Sequence, residues 1–117
     1  MTTRDAVQEY FNALKQKNGW ESFLSETMTF TSHISPVKQV TGKDAYLQAT
    51  QRFYSSIVSF EVQDLIVENE RACASTRYEL QGPGGNRFSS DVAEVFTVKN
   101  GRIESFAIYF DPAPFPK

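Results

Sequence analysis

Cysteine, histidine and long apolar runs are scarce in this sequence. The single thiol, Cys73, excludes an internal disulfide. The single imidazole, His33, has no second His or Cys at ligand spacing, so we expect no metal and no cofactor. The apolar runs are too short to cross a bilayer, and the opening MTTRDAVQEY lacks the apolar segment of a signal peptide. A cytoplasmic location is the expectation for such a reduced domain.

Neither basic nor acidic residues are in large excess. The chain has 12 basic and 14 acidic residues, a net charge of −2, and no basic stripe. Nucleic acid and anionic membrane are therefore not expected as partners. Hydrophobic residues make up 40% and charged residues 22% of the 117 residues, which predicts one packed domain over residues 1–117. Aromatic residues reach 14%, and such rings line both cores and apolar ligand sites.

Three segments carry apolar side chains at helical spacing. TTRDAVQEYFNALKQKNG, residues 2–19, has one apolar face, and Thr2 or Thr3 is suited to cap its start. WESFLSE, residues 20–26, predicts a short second helix. Residues 43–57 repeat the helical spacing and predict a third helix.

Alternation of apolar and polar residues predicts five strands. TMTFTSHI, residues 27–34, is the first strand, and SPVKQVTG, residues 35–42, is expected to be a loop. Four more strands follow the third helix, and Asn100-Gly101 between the last two is a strong hairpin signal. A change of parity near Asp64 predicts a β-bulge in the first of these four strands.

The order α-α-β-α-β-β-β-β predicts an α+β fold with a curved antiparallel sheet. The last four strands form a meander, and the first three segments are expected to cover its concave face. A bulge helps such a sheet to bend. Short amphipathic helices cannot fill the whole hollow of a curved sheet, so a tapering cavity is expected between helices and sheet.

The stretch SSDVAEVFTV places a carboxylate on an apolar strand face. Every second residue from Val92 to Val98 shares one face, and Glu94 belongs to that set. If this face borders a cavity, desolvation raises the pKa of Glu94 and makes it a candidate general acid or base, or an anchor for a polar ligand group. The alternatives are a shifted strand that leaves Glu94 at the wet rim, or an ion pair with Arg52 or Arg77.

Several aromatic side chains are expected to point inward and to form the core or the lining of a cavity. These rings belong to Trp20, Phe23, Phe30, Phe53, Tyr78, Phe106 and Phe110. They would favour an apolar or aromatic small-molecule ligand. Tyr10 is either a core residue or a phenol that donates to a ligand oxygen. By parity His33 faces away from Phe30, which predicts a surface or dimer contact, with the pocket mouth as the alternative. Asp111 is expected at the pocket rim, as a helix cap or as an anchor of the tail.

The opposite parity of the last two strands is more apolar than a solvated face. It carries Ala93, Val95, Thr97, Ala107 and Tyr109. An exposed apolar patch of this kind usually marks an interface, so we expect a homodimer through the outer sheet face.

Five stretches together resemble the SnoaL-like branch of the nuclear transport factor 2-like superfamily over nearly the full chain. They are AVQEYFNAL, WESFLSETMTF, TGKDAYLQ, VQDLIVENERACASTRYEL and DVAEVFTVKNGRIESFAIYFD. The resemblance implies a single SnoaL-like domain, shaped as a cone-shaped half-barrel of sheet closed by helices. It also implies a pocket at the open end and pairing through the outer sheet face.

The resemblance also implies candidate catalytic residues. The superfamily includes ketosteroid isomerase, whose chemistry uses a Tyr on the first helix, a base on the first strand and a second carboxyl group on a later strand. Tyr10 and Glu94 match the first and third of these positions. The base position falls on Ser32, whose hydroxyl is no base at pH 7, and this departure weighs against isomerase activity.

The leading hypothesis is a small-molecule pocket protein of the acid–base isomerase or cyclase type. Its substrate would be an apolar carbonyl-bearing or cyclic compound, with Glu94 handling the proton and Tyr10 and Ser32 holding the substrate oxygen. The alternatives are a non-catalytic ligand-binding domain and a protein-association domain with a vestigial pocket. An epoxide-opening hydrolase is a further alternative, which would need Arg52 and Asp111 beside Glu94.

Overall fold

The computed structural model describes residues 1–34 and 36–115. In chain order the first elements are helix α1 (Thr3–Lys15), a 3₁₀ turn (Trp20–Phe23), strands β1 (Leu24–Ser32) and β2 (Lys38–Thr41), and helix α2 (Lys43–Ser56). The remaining strands are β3 (Ile57–Glu68), β4 (Arg71–Gln81), β5 (Arg87–Lys99) and β6 (Arg102–Phe110). In the described chain these strands form one six-stranded sheet in the order β2-β1-β6-β5-β4-β3. β1 runs parallel to β6, and the other neighbours pair antiparallel.

Helix α1 begins with a capping box and packs on the concave face of the sheet. The Thr2 hydroxyl accepts a hydrogen bond from the Asp5 N–H at 3.0 Å, and the Asp5 carboxylate accepts one from the Thr2 N–H at 3.3 Å. These bonds satisfy two backbone donors that a helix start leaves free. The buried face of α1 consists of Ala6, Val7, Tyr10, Phe11 and Leu14. This face contacts strands β3 to β6 and forms one layer of the core.

Three sequence-based expectations about the first half of the chain are wrong in detail. The second helix is only a single 3₁₀ turn, because the chain becomes extended at Leu24, which pairs with Ile103 of β6. The expected loop contains β2, which pairs antiparallel with β1 at the sheet edge. β1 does not cover the concave face; it extends the sheet beside β6. The helices alone therefore close the hollow.

The predicted antiparallel meander of four strands is confirmed, together with its turn and its bulge. Asn100 and Gly101 have φ angles of 53° and 75°, as a tight hairpin of the Asn-Gly type requires. The β3–β4 register shifts between Val62 and Asp64. A bulge there increases the local twist and helps the sheet to curve. The observed fold is thus α+β, with a curved sheet closed by helices.

Aromatic rings dominate the centre of the core. Phe96 of β5 is fully buried, with its ring centroid 4.6 Å from that of Phe106 and 6.0 Å from that of Phe11. Tyr10 packs edge-on against the same ring at 6.1 Å. Such edge and tilted contacts add to the free energy gained from burial alone. Phe96 therefore joins α1 to the sheet.

We expect Phe96→Ala to lower the free energy of unfolding by about 3–5 kcal/mol, because the substitution leaves a cavity among packed rings. Phe96→Leu keeps most of the apolar volume and should lose clearly less. Urea unfolding, followed through the fluorescence of Trp20, measures both values. Equal losses for the two variants would contradict the ring packing described here.

Candidate functional site

A cavity of about 220 Å³ lies between α2 and the inner face of the sheet, near the ends of β1 and β6. The apolar part of its lining consists of Phe30, Ala49, Phe53, Val92, Phe106, Ile108, Phe110 and Phe115. The polar part consists of Ser32, Tyr46, Thr50, Tyr54, Tyr78 and Glu94. The polar groups are five hydroxyls and one carboxyl, so the lining can donate several hydrogen bonds but carries no cation among these residues.

The cavity collects most of the site residues expected from the sequence. Those that line it are Glu94, Ser32, Phe30, Phe53, Tyr78, Phe106 and Phe110. Tyr10 lies deeper in the core and is covered by Tyr54. Trp20 stacks on Tyr54 with ring centroids 4.0 Å apart, and Phe23 packs half-buried against the core. Tyr10, Trp20 and Phe23 are therefore not part of the lining.

Glu94 is held in the interior by the alternation of β5. Its neighbours on the inner face, Val92, Phe96 and Val98, are all buried, and Glu94 itself is 2% exposed. The Tyr78 hydroxyl donates to both carboxylate oxygens, at 2.9 and 3.0 Å. Glu94 is therefore a buried carboxyl that borders the cavity, and it does not lie at a solvated rim.

No Arg or Lys of residues 1–34 and 36–115 forms an ion pair with Glu94. Arg77 instead pairs with Asp91 on the outer face, where two guanidinium nitrogens donate to the carboxylate at 2.8 and 3.0 Å. Arg52 is exposed on α2. The ion-pair alternative is thus not what the structure shows, and no charged side chain of the described residues would offset the desolvation of an ionised Glu94.

Burial raises the pKa of Glu94 from 4.5 to about 7, and the nearby hydroxyls of Thr76 and Tyr78 limit this rise. The Tyr78 bonds have normal geometry. The Thr76 hydroxyl is fully buried and makes no hydrogen bond of normal geometry within the described chain, so we assign the larger part of this stabilisation to Tyr78. With a pKa near 7 the carboxyl is present in both protonation states at neutral pH.

Three tyrosine hydroxyls form a chain beside the carboxyl. The Tyr54 hydroxyl lies 2.7 Å from that of Tyr10 and also hydrogen-bonds the hydroxyl of Tyr46. Burial raises the pKa of all three phenols, so they stay neutral. Two hydrogen bonds use two of the three hydroxyl hydrogens. An acceptor oxygen in the cavity favours the arrangements in which Tyr46 or Tyr54 donates the third.

Sequence reasoning did not assign Tyr46 and Tyr54 to the site. The helical spacing of residues 43–57 includes Tyr46, but it does not distinguish Tyr54 as a site residue. The signal was nevertheless present, because residues eight positions apart in a helix share a face, and Phe53 belongs to the same face. The helical repeat of α2 predicts a row of hydroxyl-bearing and aromatic side chains. Only the packing of α2 against the sheet shows that this row faces a cavity.

The remaining candidates lie away from the cavity or at its edge. His33 is exposed and stacks on Tyr109 with ring centroids 4.3 Å apart. Asp111 is exposed and accepts a hydrogen bond from the Ala113 N–H at 3.0 Å, a bond within the tail itself. Within the described ranges, three or more His, Cys, Asp or Glu side chains do not come together in a metal-binding group. No helix in those ranges is long and apolar enough to span a membrane.

Comparisons with known proteins agree on family and fold. The SnoaL-like domain family matches residues 7–106, which confirms the predicted resemblance. A nuclear transport factor 2-like protein from Cytophaga hutchinsonii is 23% identical over 97% of this chain and 94% of that chain, with a TM-score of 0.76. A candidate SnoaL-like polyketide cyclase from Mesorhizobium loti is 21% identical over 93% of this chain and 99% of that one, with a TM-score of 0.77.

A third structure, AclR, a candidate hydroxylase from Streptomyces galilaeus, is 14% identical over 96% of this chain and 80% of that chain, with a TM-score of 0.78. At these identities the likeness to solved structures shows the fold alone. No protein with a curated description matches the chain.

The raised pKa of Glu94 makes the stability of the fold depend on pH. Glu94 binds its proton more tightly in the folded chain than in the unfolded chain, so the free energy of unfolding should fall as the pH rises from 4.5 to about 7 and level off above. A tenfold change in proton affinity corresponds to about 1.4 kcal/mol, which gives a total loss of about 3 kcal/mol from this group.

Glu94→Gln removes this titration and keeps an acceptor for Tyr78. Urea unfolding between pH 4 and about pH 8 should therefore show the wild type losing about 3 kcal/mol relative to Glu94→Gln over that window. Glu61→Gln, at an exposed position of β3, is the matched control and should leave the pH dependence of the wild type intact. Parallel pH profiles for wild type and Glu94→Gln would show that Glu94 has an ordinary pKa.

Proposed function

We propose, from the premise that the chain belongs to the SnoaL-like domain family, that its cavity binds a small apolar compound and that Glu94 transfers a proton on it. One observation carries the proposal: a carboxyl that is 2% exposed, without an ion-pair partner in the described chain, opens onto a cavity rich in hydroxyl groups. Strongly perturbed acids in a cavity are typical of functional sites.

The proposed reaction is acid–base isomerisation or cyclisation of a carbonyl-bearing or cyclic compound. In its ionised form Glu94 removes a proton from the carbon beside the carbonyl group, and the electron pair moves to the carbonyl oxygen. The free hydroxyl hydrogen of Tyr46 or Tyr54 stabilises that oxygen as negative charge develops. Glu94, now protonated, returns the proton to the rearranged compound. A pKa near 7 suits both steps.

The roles of the other two candidates follow from their positions. Tyr10 lies outside the lining, so it acts on a ligand only through the hydroxyl of Tyr54 and serves as a positioning residue. Ser32 lines the cavity and offers a hydrogen bond to the ligand, not a base. The apolar rings exclude water and favour a ligand that is largely apolar. The candidate SnoaL-like polyketide cyclase from Mesorhizobium loti, which shares this fold, supports a cyclase-type role.

A second candidate function is non-catalytic binding of the same compound. It is favoured by the position of Ser32, where a base would stand if the chain resembled ketosteroid isomerase fully. It is also favoured by the lining, in which Glu94 is the only carboxyl among the described residues. A protein-association domain with a filled interior is less well supported, because a cavity of about 220 Å³ remains.

Pairing through the outer sheet face is a further part of this proposal. Ile66, Cys73, Val95 and Ala107 lie side by side across β3, β4, β5 and β6. Ile66 is 68% exposed, and Tyr109 in the next row is 48% exposed. A row of apolar side chains across four strands is suited to face a second copy of itself about a two-fold axis.

The enzymatic role predicts proton exchange at a carbon beside a carbonyl group. Acetophenone in D₂O is a suitable probe, and deuterium entering its methyl group is followed by NMR. We expect the wild type to accelerate this exchange, Glu94→Gln to lose at least about 100-fold of the acceleration, and Glu61→Gln to keep it. Tyr54→Phe should lose about tenfold or more, because the hydroxyl chain is interrupted.

Binding of acetophenone without exchange by the wild type would favour the non-catalytic function. Full exchange activity in Glu94→Gln would contradict the role of Glu94 as the proton carrier. The pH profile of the exchange rate should bend near pH 7 in the wild type, since the pKa of Glu94 is about 7.

The homodimer makes a separate prediction. Ala107→Glu places like charges opposite each other across a two-fold interface and should shift the protein from dimer to monomer at micromolar concentration. Glu61→Gln leaves the apolar row unchanged and should remain dimeric. Light scattering measures both. A monomeric wild type at that concentration would contradict the pairing.

A further inference from the structure

An aromatic side chain near the end of the described chain, Phe115, lies between the cavity and a groove on the surface. Phe115 lines the inner cavity and also a groove on the outer surface. Its ring is half-buried between Phe88 at the start of β5 and Phe110 at the end of β6, with centroid distances of 5.1 and 5.2 Å. Phe115 therefore separates the cavity from the groove.

The attachment of this ring depends on side-chain packing. The hydrogen bonds of the described tail run within the tail itself, from the Ala113 N–H to the Asp111 carboxylate and from the Phe115 N–H to the Pro112 carbonyl, both at 3.0 Å. Residues 111–114 are exposed. The ring can therefore leave its place without breaking a hydrogen bond of the sheet, at the cost of two aromatic contacts.

The groove beyond Phe115 adjoins the cavity. Its walls are α2 and the turn between β4 and β5, through Gln51, Arg52, Gln81 and Pro83. Phe53 and Phe115 belong to both the groove and the cavity. Removal of the Phe115 ring would thus join the two spaces.

The volume of the cavity limits its occupant. A buried apolar cavity of about 150 Å³ holds a benzene molecule. About 220 Å³ accommodates one ring with a short substituent, and the carbonyl oxygen of that substituent can reach the hydroxyls of Tyr46 and Tyr54. A second fused ring exceeds this volume, and Phe115 borders both the cavity and the adjoining groove, so its displacement would add space at that end.

We propose that Phe115 determines ligand size: seated between Phe88 and Phe110, it restricts the site to compounds with one substituted ring. The proposal rests on the proposed binding function of the cavity and adds the size class of its ligand. Phe115 acts through exclusion and touches the outer end of the ligand, away from Glu94. The carboxyl and the tyrosine hydroxyls are unchanged by its removal.

Two ketones that differ by one fused ring test this assignment, acetophenone and acetylnaphthalene. Isothermal titration calorimetry gives the dissociation constant of each ketone for wild type, Phe115→Ala and Phe115→Leu. Pro114→Ala, at an exposed position of the same tail, is the control. The thermal melting of every variant is measured beside it, so that binding is compared among folded proteins.

We expect the wild type and Pro114→Ala to bind acetophenone and to bind acetylnaphthalene about tenfold or more weakly. Phe115→Ala should bind acetylnaphthalene about tenfold or more tightly than the wild type does, and Phe115→Leu should lie between them. If all four proteins bind acetylnaphthalene equally and acetophenone still binds, the size assignment is overturned while the binding function stands. If none of them binds either ketone, the proposed function fails and this inference fails with it.

Discussion

Among the described residues no cation pairs with the buried carboxyl of Glu94, and this is the constraint around which the interior is organised. An ionised carboxylate in an apolar interior is strongly unfavourable, so the group either neutralises or is bound by donors. Both happen at Glu94: its pKa rises to about 7, and Tyr78 donates to both of its oxygens. The interior around it supplies hydroxyls, which can adapt to a neutral or an ionised partner because each is donor and acceptor.

The shape of the sheet makes this constraint possible. The bulge between Val62 and Asp64 and the long meander bend the sheet, so that its concave face is wider than the helices that cover it. Helix α1 fills one end with packed rings. Helix α2 presents the small side chains of Ala49 and Thr50 between its tyrosines, and these leave the space that becomes the cavity. Curvature and small side chains together therefore place a hollow beside Glu94.

Local patterns predicted most of the fold, and tertiary pairings account for what they missed. The two-residue period of β5 placed Glu94 inside, and Asn100-Gly101 marked the last hairpin. Strand β2 was missed because its four residues, KQVT, are exposed or half-buried at an edge and carry no apolar alternation. Its partner is β1, and no local sequence signal reports such a pairing.

Sequence periodicity predicts which face of a helix or strand a site residue lies on. It does not predict how far that side chain lies from the cavity. A helical period shows that Tyr10 points inward, yet it cannot show that a residue 44 positions later would lie between its hydroxyl and the cavity. In that position the ring of Tyr54 also stacks on Trp20, with centroids 4.0 Å apart. Which of these side chains borders the cavity depends on how α1 and α2 pack, and that packing is a property of the whole fold.

The polar interior also costs stability, and this cost supports a functional reading. The hydroxyl of Ser90 is buried and lacks a hydrogen-bond partner within the described chain, which is unfavourable by about 1–3 kcal/mol. The hydroxyl of Thr76 is buried near the Glu94 carboxyl without a hydrogen bond of normal geometry in the described chain. Both lie on the inner faces of the strands that carry Tyr78 and Glu94. Apolar side chains of similar size at Thr76, Ser90 and Glu94 would give a more stable core. Departures from good packing that gather around one cavity are typical of positions that serve a ligand or a reaction.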